Sequence, residues 1–335
     1  METKDRYLAD LFGRIHDYLR ISLTERCNLR CFYCMPEEGI VLRPRSQFMN
    51  TKEVAEIAKI FVSLGVKKIR LTGGEPLVRN DAKEVIEALA GLPVELAITT
   101  NGVLVDRFTD TFKKSGLKSI NVSIDSFQKE KLNKITRRDY SDIIISNIKL
   151  LISEGYHIKL NAVIMKGVND DEIVDFIEFT KENKVHFRFI EFMPFEGNSW
   201  DWGTKGVSYK EMLSSINNLY GKAVKRLEDR KNDTSRNYKI ENYAGTFAVI
   251  SSVTHPFCDT CNRIRLTADG KIKNCLFSNN ETDLLSVFRA GGDIKPLIIE
   301  SIWNKKAVRA GMDTYEQFSD LSERNKNRAM VAIGG

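Results

Sequence analysis

The sequence predicts an α/β protein: an incomplete (β/α)6 TIM-like barrel over residues 1–225, then a C-terminal α+β extension over residues 226–335. Three observations carry this reading. Between Arg20 and Leu219, short β-branched runs of period two alternate with longer runs of period near 3.6. The strands have one apolar and one polar face. From Leu227 onward the alternation stops.

The expected strands are Leu19–Thr24, Lys68–Thr72, Glu95–Thr99, Ser119–Asp125, Ile158–Ile164 and Val185–Phe192. Helices are expected to begin near Thr51, Asp81, Val105, Ser141, Asp170 and Tyr209. Asn50, with Glu53 three residues on, reads as a capping box. Val54, Ile57, Ala58, Phe61 and Leu64 then form one apolar stripe, and Gly65 supplies the left-handed stop. Asn169 and Glu172 repeat the capping pattern, and Ser141 can cap the helix that ends at Gly155.

Strand–helix units in succession imply a parallel sheet, because each crossover helix returns the chain in the same direction. A sheet covered by helices on both faces would read as continuous apolar runs. Here Ile120, Val122 and Ile124 alternate with Asn121, Ser123 and Asp125, and the other strands follow suit. The apolar face packs on the helices and leaves a polar lumen, which favours an open barrel over a closed one filled with aliphatics. Arg20, Arg70, Lys159 and Arg188 bring cations from four strands to that lumen. They fit a phosphorylated ligand. Internal pairing with Asp125 or Glu191 is the alternative.

In the extension, Arg226–Arg236 reads as a charged loop or linker and Tyr243–Val253 as a hairpin strand around Gly245. Ile264–Leu276 reads as a second hairpin turning at Asp269-Gly270. Short helices are expected near Asp283–Arg289 and Pro296–Ala310.

With 335 residues, about two domains or one barrel plus an extension are expected. Hydrophobic residues make up 42% and charged ones 29%, which excludes a disordered or fibrous chain. No apolar run reaches the ~18 residues that cross a bilayer, and Met1–Arg20 lacks the apolar core of a secretory signal. A cytoplasmic protein with no membrane partner is the expectation. The net charge of +6 allows an anionic ligand without calling for nucleic acid.

All six cysteines fall in two triads, Cys27, Cys31, Cys34 and Cys258, Cys261, Cys275. Two odd-numbered groups in such a chain point to metal centres rather than disulfides. The first has the spacing Cys-x3-Cys-x2-Cys just after the first strand, with no fourth ligand nearby. Three thiolates can hold three irons of a 4Fe–4S cube and leave the fourth open to a small molecule. Structural zinc, which is normally four-coordinate, is the alternative. At the second triad, zinc completed by His255 is likewise open.

The first triad, with Tyr33 before its last cysteine, resembles the radical S-adenosylmethionine superfamily. Thr72-Gly73-Gly74-Glu75-Pro76 resembles that family's glycine–glycine–glutamate segment. The resemblance implies that the open iron chelates S-adenosylmethionine. It implies cofactor contacts at Tyr33, Gly73, Gly74, Glu75, Ser123, Asp125 and Met193, with the glycines letting backbone approach the methionine moiety. The second triad, Cys261-Asn262-Arg263-Ile264-Arg265, the TTNG and VSIDS segments and the terminal Gly334-Gly335 extend the likeness over the whole chain. Together they resemble the GTP 3′,8-cyclase family of molybdenum cofactor biosynthesis.

That resemblance implies two 4Fe–4S clusters, the second in the extension with its open iron on the guanine base. It implies GTP contacts at Arg20, Lys68, Arg70, Thr99, Lys159, Arg188, Arg263 and Arg265. Gly334 and Gly335 would reach the active site and, with Arg263 and Arg265, serve catalysis. The implied reaction starts when a 5′-deoxyadenosyl radical removes hydrogen from carbon 3′ of GTP, whose ribose then closes on carbon 8. Implied partners are an external flavodoxin- or ferredoxin-like one-electron donor, cyclic pyranopterin monophosphate synthase as recipient of the product, and a second copy in a homodimer. A peptide-maturing radical enzyme with an auxiliary cluster, or a simple iron–sulfur electron carrier, is the rival reading.

Overall fold

The computed structural model describes residues 7–36, 38–41, 43–193, 195, 202–312 and 327–334. One sheet organises the chain. Its strands are β1 (Tyr18–Ser22), β2 (Lys68–Thr72), β3 (Glu95–Thr100), β4 (Ser119–Ser123), β5 (His157–Ile164) and β6 (His186–Glu191). They continue with β7 (Val224–Arg226), β8 (Arg236–Ile240), β9 (Thr246–Ile250), β10 (Arg263–Leu266), β11 (Lys271–Lys273) and β12 (Thr282–Asp283). The spatial order is β12-β11-β10-β1-β2-β3-β4-β5-β6-β9-β8-β7, so the sheet does not close on itself.

The six expected strands form the parallel centre β1 to β6. Their apolar alternation faces the helices: Leu19, Ile21, Ile120, Val122, Leu160, Phe187 and Phe189 are all fully buried. The helix Thr51–Ser63 carries the capping box on Asn50, and Gly65 follows it at φ +98°.

Several local expectations are corrected. Ser141 is the first residue of its helix, not the cap, and its side chain accepts nothing from the helix N-terminus. Asn169 makes no cap either. Its side chain accepts from Met165 N–H and donates to the carbonyls of Asp125 and Val163, pinning two loops together. Glu172 is buried and accepts from Ser126 and Phe127. These long-range bonds outcompete the local cap. The helix Lys129–Thr136 was not expected, because its apolar stripe is short, with only Leu132 and Ile135 buried among its hydrophobic residues.

The extension adds its strands to the same sheet. The charged stretch after Arg226 is the turn of an antiparallel β7–β8 hairpin. The turn near Gly245 joins β8 to β9, and β9 lies parallel to β6. The hairpin at Asp269-Gly270 is β10–β11, with Gly270 at φ +69°, and β10 lies parallel to β1. The extension therefore places one parallel strand on each edge of the barrel sheet.

Candidate active site

The cations come together through register. Across the adjacent parallel strands β10, β1 and β2, Arg265, Arg20 and Arg70 stand in one row. Arg263, Tyr18 and Lys68 form the row below. Neighbouring strands lie roughly 4.8 Å apart, so each row holds its side chains at close quarters. Further round, Thr99, Asn121 and Lys159 share a row, and Asn161 pairs with Arg188.

Arg70, Arg188 and Arg263 donate to hydroxyl, amide and carbonyl oxygens. Arg70 donates to Tyr18 Oη, the Ile98 carbonyl at 2.7 Å and Ser119 Oγ at 3.4 Å. Arg188 donates to Asn161 Oδ1 at 2.8 Å, and Arg263 to the carbonyl of Asn232 at 3.3 Å. Neither expected internal carboxylate is spent on them. Asp125 accepts from Tyr33 Oη at 2.7 Å and Val163 N–H at 2.9 Å. Glu191 accepts from backbone N–H groups of Tyr209, Val253 and Thr254. Lys68, the first residue of β2, has its Nζ paired with Glu95 at 2.5 Å.

The electrostatics record mutual repulsion among these cations, eased at Lys159 and Arg188 by the charge of Asp233. Burial, then the neighbouring Arg265, pushes Arg20 well below the usual guanidinium range. Burial and the charges of Arg188, Arg70 and Lys68 push Lys159 down to about 8. Burial and Arg70 push Arg188 down to about 9. Tyr18 shows the complementary effect. Burial opposes its ionisation, yet Arg70, Arg20 and Lys68 together bring it down to about 7. Sequence reading missed Tyr18, although its period-two position on the same face as Arg20 was the available signal. Among the described residues, Thr99 Oγ1, Asn121 Oδ1 and Arg263 Nη1 are buried with no hydrogen-bond partner. Repelling cations and orphaned polar atoms suit a polyanionic ligand.

The first triad lies on the loop after β1. Cys34 and Met35 donate their N–H groups to the Cys31 carbonyl, which curls the loop. Cys27 Sγ accepts from Leu29 N–H at 3.4 Å and from Asn101 Nδ2 at 3.8 Å. Asn101 belongs to the TTNG segment, so that segment reaches Cys27, a role the sequence did not assign. Burial raises Cys27 to about 11 and Cys34 to about 12, as expected for thiols in a dry cradle. Tyr33, through its bond to Asp125, ties the cysteine loop to the end of β4 beside Ser123.

The glycines of the 72–76 segment have a direct reason. A Cβ on Gly73, which sits at φ +146°, would stand 2.6 Å from the Thr24 carbonyl oxygen. One on Gly74 would stand 2.5 Å from the carbonyl of Arg26. Gly74 and Glu75 donate to those same carbonyls, at 2.7 and 2.9 Å. The closeness seen is thus to the loop between β1 and Cys27. Glu75 is buried and accepts from Leu77 N–H, Thr100 Oγ1 and Asn101 N–H. Burial raises its carboxyl to about 7.

In the second triad, Cys261 N–H donates to the Cys258 carbonyl in a short turn, and Cys275 follows β11. His255 is exposed, with its ring against Tyr209, so it does not complete a zinc site. Among the described residues, no three His, Cys, Asp or Glu side chains converge on a point that one ion could occupy. A cubane needs no such point, because each thiolate takes a different iron.

The C-terminal segment enters the same region. Gly334 has φ +84°, and a Cβ on it would stand 2.5 Å from Thr72 Oγ1. Its carbonyl accepts from Arg265 Nη1. Met193, half-buried, follows β6. Gly335 lies outside the described residues.

Comparison with known proteins names the class. The profile of the Radical SAM superfamily matches residues 21–180, and that of Molybdenum Cofactor Synthesis C matches residues 185–310. The mitochondrial GTP 3′,8-cyclase of Arabidopsis thaliana is 44% identical, covering 98% of this chain and 83% of that protein. The GTP 3′,8-cyclase of Listeria welshimeri is 39% identical over 98% of this chain and 99% of that protein. Molybdenum cofactor biosynthesis protein 1 of Homo sapiens is 41% identical over 98% of this chain, which spans 51% of that protein's length. The solved structure of Streptococcus suis SuiB superposes with a TM-score of 0.59 at 17% identity, covering 83% of this chain and 67% of that one, a likeness of fold. Both cysteine triads, the arginine rows and these relatives lead to one placement: the chain belongs to the GTP 3′,8-cyclase family of the radical S-adenosylmethionine superfamily.

Proposed function

We propose that this chain converts GTP to (8S)-3′,8-cyclo-7,8-dihydroguanosine 5′-triphosphate, the first step of molybdenum cofactor biosynthesis. The observation that carries this is the registered row Arg265–Arg20–Arg70, set between the strands that lead to the two triads. Cys27, Cys31 and Cys34 hold one 4Fe–4S cluster, and Cys258, Cys261 and Cys275 a second. When bound, the first cluster and S-adenosylmethionine supply the 5′-deoxyadenosyl radical that takes hydrogen from carbon 3′ of GTP.

The chain's own residues do the positioning. Arg20, Arg70, Lys159, Arg188, Arg263 and Arg265 neutralise the triphosphate, and Thr99 offers its orphaned hydroxyl. Lys68 joins them by leaving Glu95. Tyr33, Gly73, Gly74, Glu75, Ser123, Asp125 and Met193 frame S-adenosylmethionine at the C-terminal ends of the strands, where barrel sites form. Gly334, its carbonyl held by Arg265, stands beside the arginine row, and the Gly334-Gly335 terminus serves catalysis together with Arg263 and Arg265. Fixing ribose between two anchored ends is an entropic contribution to catalysis.

The division near residue 225 is functional: residues 1–225 form the radical-generating partial barrel, which also lends Arg20, Arg70, Lys159 and Arg188 to GTP, and residues 226–335 the auxiliary-cluster and GTP-binding region with Arg263 and Arg265. An external one-electron donor reduces the first cluster, the product passes to cyclic pyranopterin monophosphate synthase, and a homodimer is the working unit. The reducing cytoplasm suits six cysteines that are all free. Among the described residues, no helix is long and apolar enough to cross a membrane.

The test is anaerobic reconstitution followed by iron counting, then addition of dithionite, S-adenosylmethionine and GTP. About eight irons per chain are expected from two cubanes, with 5′-deoxyadenosine formed only when GTP is present. About four irons would remove the second cluster, and GTP-independent turnover would remove the substrate.

A further inference from the structure

A buried network built largely from outside the cysteine triads ends on one of their sulfurs. Lys305 follows the helix Lys295–Trp303 and is 3% exposed. Its Nζ donates to the Arg263 carbonyl at 3.0 Å and to Cys261 Sγ at 3.4 Å, and stands 3.5 Å from His16 Nδ1. An ammonium has three N–H donors, and here each has an acceptor.

His16 is 1% exposed, and its Nε2 lies 2.9 Å from Asp10 Oδ2. A carboxylate accepts only, so the proton belongs on Nε2 and bare Nδ1 faces Lys305. Arg14 holds Asp10 through Nε at 2.6 Å. Its other nitrogens donate to the carbonyls of Cys258 at 2.8 Å, Lys306 at 2.8 Å and Ala307 at 2.7 Å. One N-terminal segment thus braces both the ligand loop and the stretch that carries the lysine.

The charge balance shows what Lys305 is for. Burying an ammonium is costly unless an opposite charge meets it. Among the described residues no carboxylate touches Lys305, and Asp10 acts on it only through the neutral imidazole. The anionic partner within reach is the sulfur of Cys261. We infer that Lys305 is a positioning residue of the second cluster. It holds a charge-assisted N–H···S hydrogen bond on Cys261, aimed by Asp10 and His16, that favours the reduced cluster. Hydrogen bonds to sulfur and nearby positive charge set such potentials, because reduction adds negative charge to the cluster.

This rests on the second triad holding a cluster, and the experiment separates the two. Full-length protein, Lys305→Met and Lys305→Arg are reconstituted without oxygen. Iron is counted, and both clusters are titrated potentiometrically by paramagnetic resonance. About four irons in the unmodified protein would sink the cluster assignment itself. With about eight, the expected result is a second-cluster potential that falls in Lys305→Met by at least tenfold in the reduction equilibrium, about 59 mV for one electron. It recovers in part in Lys305→Arg, while the first-cluster potential stays fixed. Selective loss of the second cluster from Lys305→Met, with retention in Lys305→Arg, also supports the inference. An unchanged second-cluster potential, equal shifts in both clusters, or loss of the second cluster from both variants overturns it.

Discussion

The guanidinium of Arg265 donates to the carbonyl of Gly334, joining β10 to the C-terminal segment. Arg265 also stands in register with Arg20, and Gly334 abuts Thr72 of β2. One arginine therefore serves both the cation row and the tail. Deleting Gly334-Gly335 should leave both clusters and GTP binding in place yet abolish cyclisation. Iron content, GTP calorimetry and product formation check this. Turnover retained at the wild-type rate would remove the tail from the reaction.

Arg70 is buried at the β2 end of the row and donates to Tyr18 Oη and the Ile98 carbonyl. A hydrogen bond to a charged group contributes about 1.5–3 kcal/mol. Arg70→Ala should therefore weaken GTP roughly 10- to 100-fold while sparing the binding of S-adenosylmethionine. Calorimetry with each ligand separates the two effects.

GTP affinity should fall as pH rises past 7. The free protein holds Lys159 at about 8 and Tyr18 at about 7. A bound triphosphate raises both values, since it stabilises the ammonium and opposes the phenolate. The favourable linkage is complete below pH 7 and is lost as pH climbs through 8 towards the bound values. Calorimetry in two buffers should reveal proton uptake on binding, and Lys159→Met should flatten the response near pH 8. Proton release would contradict the assignment.

Gly74→Ala should damage the first cluster site rather than the GTP site. Its methyl would stand 2.5 Å from the carbonyl of Arg26, one residue before Cys27, and backbone has little room to yield. The expected outcome is loss of iron from the first triad with the second retained, read by spectroscopy of the two clusters. Full iron content would show that the loop relaxes.

His186 offers a stability test. Burial, then Arg188 and Lys159, hold its imidazole at about 3, with Nδ1 on Thr246. Its contribution is complete above the unfolded value of about 6.5 and is lost as pH falls towards 3. Denaturant midpoints of the apo-protein should drop across that window, and less steeply in His186→Gln.

Much of this was legible in one dimension. Period-two alternation placed Leu19, Val122 and Phe187 on the helix side and Arg20, Arg70, Lys159 and Arg188 opposite, because strand side chains alternate by geometry alone. Cysteine spacing marked both triads, because all six cysteines fall in two groups separated by a long cysteine-free stretch. What only the tertiary structure decided is adjacency. β10 lies beside β1 and β9 beside β6, although more than 200 residues separate Cys34 from Cys258. That pairing sets Arg265 next to Arg20 and Lys305 between His16 and Cys261, while the order β1-β2-β3 brings Asn101 to Cys27. No local pattern encodes such contacts. They arise when the extension covers the edges of an open sheet, and unpaired strand edges there would leave backbone groups unsatisfied.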